Sequence, residues 1–108
     1  MSKKNDIKNG IDSYIDIISN KFPIKQVILF GSYAKGKQSK YSDIDLAIVS
    51  PKFTDKKHLE NLKFLWVEAA KIDSRIEPLP ISVSDLKKAD PRSFLAEILK
   101  TGKIIYKK

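Results

Sequence analysis

The 108-residue chain has no cysteine, one histidine, one tryptophan and four glycines, and only two of its 21 basic residues are arginine. Without thiols there is neither a disulfide framework nor a thiolate metal site, and a reducing interior is permitted. The lone histidine, His58, falls in the first turns of a helical pattern and reads as a surface residue rather than a base or ligand. No apolar run approaches the length of a membrane span, and the opening Met-Ser-Lys-Lys-Asn-Asp lacks the apolar centre of a signal peptide. A soluble cytoplasmic protein is the expectation. Basic residues exceed the 13 acids for a net charge of +8, which invites a nucleic-acid reading. The lysines are scattered, however, and no aromatic residues interleave with them as in RNA-binding motifs, so specific nucleic-acid binding is not expected.

Glycine is scarce, and one of the four opens the most informative stretch. Val27-Ile28-Leu29-Phe30 runs into Gly31-Ser32, and ten residues later Asp43-x-Asp45 begins a second apolar run ending at Val49. Polar groups thus sit where strands end, the usual place for ligands in open α/β sheets. In an extended segment Asp43 and Asp45 share a face, roughly 7 Å apart along the strand. Carboxylates that close repel, and a hard divalent ion such as Mg²⁺, held by carboxylates and substrate phosphates, is the natural counter-charge. Gly31 lets a phosphate approach the backbone. The amides of a tight turn entering a short helix, with the Ser32 hydroxyl, would donate to its oxygens.

A Gly-Ser pair alone is an ordinary turn, and Asp-x-Asp alone an ordinary solvated strand edge; their combination between two strands carries the signal. Gly31 to Lys37 also fits the opening of a P-loop. That motif then needs Ser or Thr where Gln38 stands, and a crossover helix where only residues 38 to 42 separate Lys37 from the next strand.

The rest of the pattern is α/β (α+β): a mixed central sheet of about four strands flanked by helices, with residues 1–108 as one domain. Ile7, Ile11, Ile15, Ile18 and Phe22 mark a first helix ended by Pro23. Leu59, Leu62, Leu65, Trp66 and Ala69 mark a second, with Asp55 as its expected cap. Residues 75 to 83 form a third strand, which Pro78 and Pro80 place at a sheet edge or make irregular. Ser84 and Asp85 begin a helical turn. Asp90-Pro91 is the expected cap and first position of a last helix, with Leu95, Ile98 and Leu99 on its buried face, Gly102 at its end, and a strand from Lys103 to Tyr106 closing the fold.

Gly31-Ser32, the ten-residue spacer and Asp43-x-Asp45 resemble the signature of the nucleotidyltransferase superfamily that includes DNA polymerase beta, and the chain's size resembles the minimal branch found as antitoxins beside helical HEPN toxins. The resemblance covers nearly the whole chain. It implies that Asp43 and Asp45 bind two Mg²⁺ ions, that Gly31 and Ser32 hold the triphosphate of ATP, and that a third carboxylate completes the catalytic set. Glu77 is the acid on the third strand, with Asp73 as the fallback; the plain alternative for Glu77 is an ion pair with Arg75. Lys35, Lys37 and Lys40 lie beside the expected phosphates, Lys35 and Lys37 as nucleotide-binding candidates, although a loop of solvated lysines reads as well. Tyr33 and Tyr41 flank the motif, either touching a base or propping the loop. Larger relatives carry a helical substrate domain, for which this chain has no room, so the resemblance implies an acceptor on another chain: a tyrosine of a HEPN-type toxin, modified with AMP. The alternatives are a non-catalytic antitoxin that works by contact, and transfer to a small molecule held by a separate chain.

Overall fold

The structure is a computed structural model that describes residues 3–36 and 42–108. Helix α1 (Lys3–Lys21) leads into strand β1 (Gln26–Phe30). After the turn comes β2 (Ile44–Ser50), then α2 (His58–Ile72), β3 (Ile76–Ser82), the short α3 (Val83–Lys87), α4 (Phe94–Thr101) and β4 (Lys103–Lys107). The four strands form a mixed sheet in the order β3-β2-β1-β4. β1 lies antiparallel to β2 and β4, while β2 and β3 are parallel and joined through α2. A parallel pair needs such a crossover, and the apolar stripe of α2 supplies it.

Strand alternation divides the core between the two faces of the sheet. Val27, Leu46, Ile48 and Ile76 turn toward α1 and α2, where they bury Ile11, Tyr14, Ile15, Ile18 and Leu65. Ile28, Ala47, Val49 and Ile81 turn the other way, onto Ile98 of α4, with Leu79, Val83, Leu86 and Leu95 around them. Both faces are covered, so β2 is buried along nearly its whole length. Each fully buried aliphatic side chain there contributes roughly 1.5–3 kcal/mol relative to exposure. The Tyr14 hydroxyl donates to the Leu65 carbonyl at 2.9 Å, tying α1 to α2. Burial, reinforced by the charge of Glu68, pushes its phenol well above the ordinary range, so it stays a neutral donor.

β3 is an edge strand that stays regular through both prolines. The missing amides cost little where no further strand pairs, and they blunt the edge against a stray strand. Trp66 covers it from α2, its indole N–H donating to the Pro78 carbonyl at 3.1 Å.

Several local expectations need correction. Asp55 does not cap α2: it begins a short 3-10 turn (Asp55–Lys57), and no side chain caps either helix start there. Asn61, not Leu59, joins Leu65 and Ala69 on the buried face; Leu59 is 78% exposed. Asp90 and Pro91 form a turn in which the Asp90 carboxylate accepts from Arg92 N–H at 2.8 Å. The cap of α4 is Ser93, whose hydroxyl accepts from Ala96 N–H at 3.1 Å. Ser82 caps α3 in the same way. Each displaced cap is a short polar residue a few positions from another, and local spacing cannot choose between them. Leu99 is 39% exposed, leaving Ile98 as the fully buried residue of α4.

Gly102 ends α4 as expected, for a reason of space. A Cβ there would lie 2.6 Å from both the Ile98 carbonyl and the Ile28 side chain, so only glycine lets the chain fold back from α4 into β4. Among the described residues no helix is long and apolar enough to cross a membrane.

Candidate functional site

The register of the sheet assembles the site. Phe30 is opposite Asp45 across β1 and β2, and Asp45 is opposite Glu77 across β2 and β3. Position 45 shares its parity with Ala47 and Val49, and position 77 with Leu79 and Ile81. Both acids therefore belong to the α4 face of the sheet, at the strand ends beyond its apolar core. Asp43 lies just before β2 with the same parity.

The carboxylates interact directly. Glu77 is hydrogen-bonded to Asp45 and Asp43, and its carboxyl is pushed above the ordinary range by burial and then by the charges of Asp43 and Asp45. Asp45 is also pushed up, chiefly by burial and further by Asp43, while its bond to Glu77 pulls the other way. That bond favours the ionised form of Asp45 and the protonated form of Glu77, which makes Glu77 the donor of the pair. Among the described residues no acidic, histidine or cysteine side chains are grouped as a ready-made metal cage.

The turn after β1 meets these acids from the side. Gly31 has φ +75, and a Cβ on it would collide with Asp45 Oδ2 and lie 3.2 Å from Asp45 Cγ. Glycine is thus required both by the left-handed backbone and by the closeness of the carboxylate. Residues 31–36 form consecutive turns rather than the expected short helix. Lys35 N–H donates to the Gly31 carbonyl at 3.2 Å, a single helical turn that does not propagate. Tyr33 packs against the core under α1 and α2, so it props the turn. Ser32 is exposed on the turn, and Lys35 lines a cleft with Gly31 and Asp45. Lys37, Lys40 and Tyr41 lie outside the described residues.

Of the two candidates for the third acid, Arg75 engages Asp73. Its guanidinium grips Asp73 through Nε at 3.0 Å and NH2 at 2.7 Å, and its backbone N–H donates to the same carboxylate at 2.9 Å. Asp73 is committed to that loop, and Glu77 is not paired with Arg75. The guanidinium hydrogen bonds hold the Asp73 carboxyl below its usual 3.8. A lowered acid contributes stability that is present above that usual value and lost as pH falls through the folded one. Asp73→Asn is expected to cost up to about 1 kcal/mol at pH 7, since Arg75 is partly solvated, and almost nothing at an acid pH below the folded value of that carboxyl. Denaturant melts of both proteins at the two pH values measure this; an equal difference at both would contradict the pairing.

Sequence reasoning missed the far wall of the cleft. The space, about 190 Å³, is bounded by Phe30, Gly31, Lys35 and Asp45 on the sheet side and by Phe94, Glu97, Ile98 and Thr101 of α4 on the other. Phe94 is 66% exposed and meets Phe30 edge to face, with ring centroids 6.0 Å apart. A helical stripe marks Phe94 only as apolar, and nothing local in the sequence sets it across from Asp45.

Comparison with known proteins agrees with the fold. The model of the family described as "Polymerase beta, Nucleotidyltransferase" matches residues 12–108. A Methanocaldococcus jannaschii protein named "Putative protein adenylyltransferase" is 30% identical over 106 residues, covering 93% of this chain and 71% of that one. Two further proteins of that organism and name match over 48 residues, so the aligned part spans about half of their length. Among solved structures, a Sulfolobus solfataricus protein described as a "putative nucleotidyltransferase" superposes with a TM-score of 0.69 at 16% identity, covering 97% of this chain and 86% of that one. A chain from the structure of the tri-AMPylated Shewanella oneidensis HEPN toxin in complex with MNT antitoxin gives 0.57 at 20% identity, covering 94% and 72%. At these identities the structural likeness is one of fold.

Proposed function

The chain belongs to the polymerase beta nucleotidyltransferase family, and from that premise we propose that it transfers AMP from ATP to a tyrosine hydroxyl of a partner HEPN-type toxin, acting as an antitoxin in the cytoplasm. The observation that carries this reading is the meeting of three acids with one turn. Asp43, Asp45 and Glu77 converge at the strand ends, and Gly31 presses against Asp45 so closely that no side chain fits between them.

The donor set is all oxygen and crowded with like charge, which suits Mg²⁺. Asp43, Asp45 and Glu77 would hold two such ions. When bound, they would neutralise charge on the attacking and leaving oxygens. The Gly31–Ser32 amides and the Ser32 hydroxyl orient the triphosphate, and Lys35 faces the departing pyrophosphate. Glu77 accepts the proton of the acceptor hydroxyl as its oxygen bonds to the α-phosphorus and the anhydride bond to the β-phosphate breaks. The matched relatives bear the adenylyltransferase name, and the Shewanella oneidensis structure pairs an MNT antitoxin with an AMPylated toxin; both support AMP as the group moved and a toxin as acceptor.

A second reading, neutralisation by contact alone, draws on the direct Asp45–Glu77 bond and the absence of a ready-made cage among the described residues. One experiment separates the two. The chain is incubated with the protein encoded beside it, Mg²⁺ and each nucleoside triphosphate in turn, and intact mass is read on the neighbour. An AMP increment on a tyrosine, with ATP, is expected. Tight association with no increment would favour the contact reading.

A further inference from the structure

The cleft between the motif turn and α4 has a chemistry that the phosphate and metal roles leave unused. Its sheet end holds the groups suited to phosphate, Gly31 and Lys35, next to Asp45. Its helix end is aromatic and acidic. Phe94 stands at the first position of α4 with two-thirds of its surface exposed, its edge fixed against Phe30. An aromatic left open beside a catalytic-type carboxylate offers a flat apolar face. At about 190 Å³ the space is smaller than a site for a whole drug-sized ligand, and fits one planar fragment of it.

The polar groups beside that face are acceptors. Thr101 Oγ1 donates its proton to the Glu97 carbonyl at 2.8 Å, so toward a ligand this oxygen acts as an acceptor. The Glu97 carboxylate has no ion pair or side-chain hydrogen bond among the described residues. Acceptors without donors favour a ring that carries an amino group and oppose one that presents carbonyls.

We infer that this cleft is the nucleobase subsite of the triphosphate, with Phe94 as the stacking platform and Glu97 receiving the exocyclic amino group of the base. The inference rests on the nucleotidyl-transfer reading and adds to it a basis for choosing ATP over UTP. Stacking on Phe94 places the base on the α4 side of Asp45. The β3 side, where Glu77 lies, is left open for the acceptor.

The test measures binding of ATP, UTP and inorganic tripolyphosphate to the full chain by titration calorimetry with Mg²⁺. The wild-type protein is expected to bind ATP more tightly than UTP or tripolyphosphate. Phe94→Ala should weaken ATP by roughly 10-fold and leave tripolyphosphate unchanged, while Phe94→Trp restores ATP. Glu97→Gln, which adds a donor, should narrow the gap between ATP and UTP. Equal wild-type affinity for ATP and tripolyphosphate, or a Phe94→Ala protein that binds ATP normally, would overturn the subsite and leave the transfer reading standing. Loss of association with the neighbouring protein in Phe94→Ala, with ATP binding intact, would reassign Phe94 to a protein contact. Failure of the folded wild-type chain to bind either triphosphate or tripolyphosphate would overturn both readings.

Discussion

Asp45→Asn is expected to lower AMP transfer by about 10²-fold or more while leaving the fold as stable as the wild type, or more so. The two halves of the expectation have one cause. Asp45 is held against Glu77 and near Asp43, and burial with the Asp43 charge raises its carboxyl above 3.8. A raised acid binds its proton more tightly folded than unfolded, so its ionised form subtracts from stability at neutral pH, and stability recovers as pH falls through the folded value. Asparagine removes the charge and keeps an oxygen that accepts from Glu77. Thermal melting at pH 7 should therefore show an equal or higher Tm, whereas transfer would lose a proposed ligand for the ions that would offset transition-state charge. Near-wild-type transfer by this variant would sink the assignment of Asp45 as a metal ligand. A drop in Tm would instead contradict the like-charge account of the site.

Gly31→Ala is expected to be the most damaging substitution of a glycine in the turn, costing about 2–4 kcal/mol of stability from the left-handed backbone and the overlap with Asp45 together. Transfer should fall by about 10²-fold as well, because the methyl group can be relieved only by moving the carboxylate, and displacement of order 1 Å at a reacting centre has that effect. Gly36 is the control. It has φ +70, yet a Cβ there meets nothing within 4 Å. Gly36→Ala should cost only the conformational part, about 1 kcal/mol. Urea denaturation of both variants measures the difference. Indistinguishable midpoints would mean that the contact of residue 31 with Asp45 has no energetic weight.

The motif was legible because its parts are local. Gly31, Ser32, Asp43 and Asp45 lie within 15 residues, and the apolar runs on either side announce strands by their own composition. The helices were legible for the same reason, with Pro23 and Gly102 marking where α1 and α4 stop to within a residue or two. Caps were not. Asp55, Asp90, Ser93 and Ser82 are equivalent to a rule that sees only residue type, and the choice among them follows from where each helix can dock. Leu59 and Asn61 exchanged places for a similar reason. Once Leu65 and Ala69 face the sheet, the helical period carries position 61 to the same side and turns Leu59 to solvent, whatever their hydrophobicity.

Glu77 shows both regimes in one residue. Its being an acid on a strand after the second helix is a matter of sequence, but its pairing with Asp45 depends on parallel register between strands 32 positions apart. The release of Glu77 from Arg75 depends on Asp73 taking the guanidinium first.

The sequence by itself determined the strand-turn-strand motif, the α/β alternation and the grouping of a Gly-Ser turn with paired aspartates, because each is written in neighbouring residues and periods of two or 3.6. The tertiary structure alone decided which face of the sheet the acids share, which arginine partner Asp73 or Glu77 receives, and that Phe94, Glu97 and Thr101 close a cleft against Gly31 and Asp45. Those facts arise from strand order and register and from the docking of α4, all long-range contacts fixed by packing the whole core at once. No local pattern encodes them.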